Sequence, residues 1–121
     1  MESQTDTPPD SLQGIDIASG LKRCLGRWPF YKRMLLLFYE QYQSSAETIK
    51  TYIEQNAFDD GRQLSHSIKG SAGNIGAMQL NKDAAALEQA FKANNSDEIA
   101  QHYRSFSDSL NEVISSLKSL A

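Results

Sequence analysis

The stretch His66-Ser67-Ile68-Lys69-Gly70-Ser71-Ala72, running on to Gly73 and Gly76, decides how the chain reads. Leu64, Ile68, Ala72 and Ile75 recur at steps of four, four and three, the buried stripe of an amphipathic helix. His66 lies two residues past Leu64, about 200° around that helix, and so faces solvent. Lys69 and Gly70 follow it at three and four positions, the offsets that stack side chains on one helix face. Gly70 and Gly73 sit within one turn of each other, although each costs about 1 kcal/mol against alanine in a helix interior. The absent Cβ of Gly70 leaves a flat approach to the imidazole, and Lys69 supplies a cation where an anion on His66 would sit. A phosphoryl group suits that arrangement. The alternative is a surface histidine beside incidental glycines.

These residues resemble the histidine-containing phosphotransfer (HPt) domain family of bacterial multistep phosphorelays. The family pattern of His, a variable residue, an aliphatic residue, Lys, Gly, small residues and a further Gly reads here as His66, Ser67, Ile68, Lys69, Gly70, Ser71, Ala72 and Gly76. Gly14-Ile15-Asp16, Leu21, Arg23 and the segment from Tyr31 to Phe38 are also similar to the family's opening, so the resemblance covers roughly residues 13 to 118. It implies that His66 is phosphorylated, that Lys69 neutralises charge, and that Gly70 and Gly73 give clearance to a docking partner. The partners it implies are response-regulator receiver domains, of a hybrid sensor kinase and of a downstream regulator. No cofactor of the chain's own is implied, with Mg²⁺ and acid–base groups left to the receiver.

Composition narrows the alternatives. A chain of 121 residues with 40% hydrophobic content supports one domain with a core. A net charge of −3 and a pI near 5.3 argue against nucleic acid as a main partner, since phosphate-backbone binding needs clustered Lys and Arg. The longest apolar run, Met34 to Tyr39, falls far short of the roughly 20 residues that span a bilayer. Met1 to Asp10 is acidic and polar, unlike a signal peptide, so a cytoplasmic location is expected. Cys24 is the only cysteine, and His66 and His102 are the only histidines, which leaves neither a disulfide nor a convincing metal site. His102, beside the apolar Tyr103, reads as an ordinary surface residue.

Outward from the His66 helix, the pattern is helical throughout. Residues 1–12, with Pro8-Pro9 among polar residues, read as a flexible tail or linker remnant, and residues 13–121 as the domain. Ile15, Ile17, Leu21, Cys24 and Leu25 suggest a short first helix stopped by Gly26. A second helix is predicted from Pro29 to Gln55, with Asn56 capping the third, which carries His66 and fades near Gly76. A fourth is predicted over 78–93, and Asn95 with Glu98 opens a last helix as a capping box. That last helix carries Ile99, Tyr103, Phe106, Leu110, Val113, Leu117 and Leu120 at alternating steps of four and three. Such a seam belongs either to an intermolecular coiled coil or to an intramolecular bundle. The pattern favours the bundle, hence a monomer: an all-α, antiparallel up-down four-helix bundle with a short additional N-terminal helix.

If the third and fourth helices turn near Ala77, His66 and Glu88 are equidistant from the turn and face one another. The Glu88 carboxylate is then placed to accept a hydrogen bond from Nδ1–H and leave Nε2 as the nucleophile. A solvated Glu88 paired with Lys92 is the other reading, and Gln89 is the partner if the helices are rotated. Ser67 and Ser71 either reach phosphoryl oxygens or bond back to the backbone. No strand-to-helix phosphate loop, ATP-binding segment or acidic Mg²⁺ pocket is present, so the chain reads as a phosphocarrier without ATP-dependent kinase activity. Two rivals stand beside it: a non-catalytic helical interaction module, and a dimerising histidine-kinase fragment. The latter places an acid directly after the His, where this chain has Ser67.

Overall fold

A computed structural model describes residues 7–121, which form six α-helices: α1 (Ile17–Arg23), α2 (Trp28–Tyr42), α3 (Ser45–Glu54), α4 (Phe58–Ile75), α5 (Met78–Lys92) and α6 (Ser96–Lys118). Among the described residues the only bridge of β type is an isolated one between Leu12 and Ile15. Of the segment read as a tail, residues 1–6 lie outside the described residues, and Leu12 packs against the core. The chain is all-helical, with α4 and α5 packed as an antiparallel hairpin and α6 laid along α5.

One core runs through all these helices. Tyr31, Leu35 and Phe38 of α2 meet Ile68 and Ala72 of α4, Leu80, Ala84 and Leu87 of α5, and Ile99, Phe106, Leu110, Val113 and Leu117 of α6. The long seam of α6 therefore faces its own chain. Where helices approach most closely, a glycine gives way to a ring: Gly20 lies against Tyr31, and Gly61 against Phe91. Any Cβ at either glycine would collide with the aromatic side chain, so packing density fixes both positions.

The first helix stops at Arg23, short of Gly26, and leaves Leu25 exposed at a left-handed φ of +55°. Two further boundaries differ from the sequence reading. The helix predicted from 29 to 55 is interrupted at Gln43 and Ser44, which separate α2 from α3. Tyr42, Ala46 and Ile49 remain in phase across the break, all three buried, so apolar spacing carries no trace of it. The phenol of Tyr103 donates to the Ala46 carbonyl at 2.8 Å and ties the restart to α6. Asn56, read as the cap of the His66 helix, instead takes a left-handed φ of +56° at the end of α3, and α4 starts after Ala57 without a side-chain cap. Asparagine serves both roles because its short amide tolerates that conformation. By contrast Asn95 does cap α6, accepting the Glu98 N–H at 3.1 Å.

The C-terminal end of α4 is closed by Gly76, whose φ of +84° turns the chain into α5. Its carbonyl accepts the Asp16 N–H at 2.8 Å, and the Ile75 carbonyl accepts the Tyr31 hydroxyl at 2.7 Å. Burial, with Cys24 and Asp16 adding smaller effects, pushes the Tyr31 phenol up to about 12, so it remains a donor. Carbonyls at a helix end lack intrahelical partners, and these two bonds supply them. The helix that carries His66 is thereby fastened at its far end to α1 and α2.

Candidate functional site

His66 projects from the outer side of α4, with its side chain 63% exposed. Ser65, Ile68 and Ala72 take the inward positions of the same helix and are buried. The imidazole is nonetheless held: Nδ1 lies 2.9 Å from Oε2 of Glu88 on α5. Lys69, one turn along from His66, brings its ammonium to 2.9 Å from the other oxygen, Oε1. The Lys69 contact is an ion pair approaching off the line of a hydrogen bond, since Oε1 has no aligned donor.

Glu88 is the hinge of this arrangement. It is 8% exposed, on a stretch of α5 whose neighbours Leu87 and Ala90 belong to the core. Burial pushes its carboxyl up, but the close Lys69 ammonium and the His66 contact outweigh that and hold it below the ordinary carboxylate range. An ionised carboxylate only accepts hydrogen bonds, so a neutral His66 must place its proton on Nδ1. The lone pair then resides on Nε2, which has no hydrogen-bond partner among the described residues. Chemically this is an oriented nucleophile with a cation one helical turn away.

The remaining candidate positions divide. Gly70 is exposed, and a Cβ built there meets nothing within 4 Å. Gly73 differs from the clearance expected of it: its Cβ would stand 3.3 Å from Nδ2 of Asn81, so the missing atom makes room for α5 and not for a visitor. Ser71 contacts the Tyr42 hydroxyl at 3.3 Å, away from the imidazole. Gln89 is exposed while Glu88 is the α5 residue that meets His66. His102 is half-buried on α6, apart from these groups.

Asn81 escaped the sequence reading. Its amide donates to the Lys69 carbonyl at 2.8 Å, crossing from α5 to the backbone of α4 beneath the site. The signal available was its spacing, two helical turns before Glu88, which puts both residues on the α4-facing side of α5.

Outward of His66, Gly70 and Asn74 continue the same row at steps of four toward a shallow groove between α2 and α4. Met34, Leu37 and Phe38 line that groove, and Leu37 is 54% exposed. The imidazole thus stands at the edge of an accessible surface of small and apolar residues.

No curated protein and no solved structure matches the chain. A family model described as Hpt domain matches residues 33–119, which include His66, Lys69, Gly70 and Glu88. With most of its length covered by that match, and with an outward histidine braced by a carboxylate and a lysine, the chain belongs to the Hpt domain family, the phosphotransfer modules of two-component signalling.

Proposed function

We propose that the chain is a phosphotransfer intermediary of a multistep two-component phosphorelay. His66 Nε2 attacks the acyl phosphate of a receiver-domain aspartate; the N–P bond forms as the P–O bond breaks, and the aspartate leaves as its carboxylate. The reverse exchange passes the phosphoryl group from Nε2 to the aspartate of a second receiver. What this chain contributes is position and charge. Glu88 fixes the tautomer and the ring, and Lys69 offsets the roughly two negative charges of the phosphoryl group. Gly70 leaves the approach open, while in-line geometry and Mg²⁺ come with the docked receiver.

The observation that carries this reading is the contact between Nδ1 and Glu88 on an imidazole that is otherwise in solvent. The contact satisfies one oxygen of the buried Glu88 carboxylate, and it also fixes one tautomer and leaves Nε2 facing solvent, which is what a nucleophile requires. The groove at Met34 and Leu37, continuous with Gly70, is the surface we assign to receiver docking. We read α2 with α3, α4, α5 and α6 as the four legs of an antiparallel up-down bundle, and α1 as the short additional helix. The inward seam of α6 supports a monomer, and the receiver partners of this reading would be met in the cytoplasm.

The test is transfer of label from a phosphorylated receiver to the purified chain, wild type against His66→Gln. Wild type acquires an acid-labile, base-stable label and His66→Gln acquires none, while both proteins remain folded, with unfolding free energies that agree within about 1 kcal/mol because a glutamine amide can also donate to Glu88. A wild-type protein that stays unlabelled in the presence of competent receivers would defeat the proposal.

A further inference from the structure

The bond from Asn81 has no evident purpose in holding the fold together. The Lys69 carbonyl already sits inside α4, where the helix itself supplies an N–H four residues on, so the amide takes a second lone pair. α4 and α5 are also fastened elsewhere, by the core residues between them and by the Phe91 ring over Gly61. Yet room is kept for this bond: residue 73, one turn past Lys69, is a glycine, and a Cβ there would press on the Asn81 amide at 3.3 Å. A glycine inside a helix costs stability, so its place opposite a half-buried amide is informative.

What the bond controls is the origin of a long side chain. Lys69 has four rotatable carbons between its Cα and an ammonium that must reach one oxygen of a buried carboxylate at 2.9 Å. Glu88, seven residues beyond Asn81 on α5, holds the tip of Lys69 and the ring of His66, while Asn81 holds the backbone from which Lys69 springs. The lysine is therefore gripped at both ends by one helix.

We propose that Asn81, with Gly73 opposite it, is a positioning residue of the site: its amide bond to the Lys69 carbonyl sets where the lysine ammonium lies relative to Glu88 and to a phosphoryl group on His66. The last part rests on the phosphotransfer reading; the placement of Lys69 on Glu88 does not. Asn81 acts through Lys69 and does not touch the reacting atoms.

The test compares wild type, Asn81→Ala, Gly73→Ala and the double variant. Two quantities are read: the titration of the Glu88 carboxyl by carbon NMR, and the lifetime of phosphohistidine after transfer from a receiver. In Asn81→Ala the Glu88 titration moves up toward the ordinary carboxylate range, and the lifetime shortens by about threefold to tenfold, the size of one neutral hydrogen bond. Gly73→Ala moves both readouts in the same direction, and it raises helix propensity, so it serves even if Asn81→Ala folds poorly. The double variant is no worse than Asn81→Ala alone, because residue 73 matters only through the amide. An unchanged Glu88 titration in Asn81→Ala, or losses that add in the double variant, overturns the proposal. If wild type takes up no label, the phosphotransfer reading falls by itself and the titration still decides the role of Asn81.

Discussion

The two ends of α4 are built on opposite plans. At Ile75 and Gly76 the helix is enclosed: Tyr31 and Asp16 take its last carbonyls, and the Asp16 carbonyl fills the space a side chain at position 76 would need. Around His66 and Gly70 the same helix is bare, with an imidazole 63% exposed and an empty volume where a Cβ would stand. Glycine appears in both places for different reasons, backbone conformation with close packing at one and access at the other. The contrast shows how a side chain can be exposed without being loose. Tethers at the far end and a buried carboxylate from α5 supply rigidity that the surroundings of His66 do not.

Moving a side chain into each region in turn should separate the two plans. The largest effect is expected at the closed end. Gly76→Ala forces a Cβ into a left-handed residue and onto the Asp16 carbonyl, and should cost about 3 kcal/mol in urea unfolding. A loss below about 1 kcal/mol would mean that this corner relaxes easily and does not anchor α4. Gly70→Leu should do the reverse, adding up to about 1 kcal/mol of stability through helix propensity. It should also slow transfer from a phosphorylated receiver by at least about tenfold, since the new side chain enters the approach to His66. A variant that is both more stable and equally fast would show that the bare surface is not used.

The smallest effect concerns the carboxylate that links the two plans. Because the folded state holds the Glu88 carboxyl below its ordinary range, Glu88 contributes stability that is present above that range and is lost as pH falls through the lowered value. Wild type should therefore exceed Glu88→Gln by about 1 kcal/mol near neutral pH, the gap closing below about pH 4. Parallel stability curves for the two proteins from pH 7 to 3 would break the argument.

How much of this was legible in the sequence depended on whether the signal was periodic. The outward place of His66 followed from the stripe of Ile68, Ala72 and Ile75, and the meeting of His66 with Glu88 from their equal distance to the turn at Ala77. The break after Tyr42 was hidden because the stripe continues in phase through Ala46, and only the two turn residues between the helices change. Asn56 and Gly73 were ambiguous for a different reason. Each is a residue type with two uses: asparagine suits a left-handed turn as well as a helix cap, and the missing Cβ of Gly73 makes room for Asn81 of the next helix where it could have made room for a visitor. Asn81 was passed over because an asparagine in a helix reads as solvated until its carbonyl partner on another helix is known.

Phosphohistidine is trapped by quenching into base, a treatment that bears on any latch made from a phenol. Burial pushes the hydroxyl that clasps the end of α4 up to about 12, while the unfolded chain's phenol ionises at about 10, so the clasp's contribution to stability drains away as pH rises above about 10. An alkaline quench should therefore loosen the corner where α1 and α2 grip α4, and a label that survives it would do so by the base stability of the N–P bond alone.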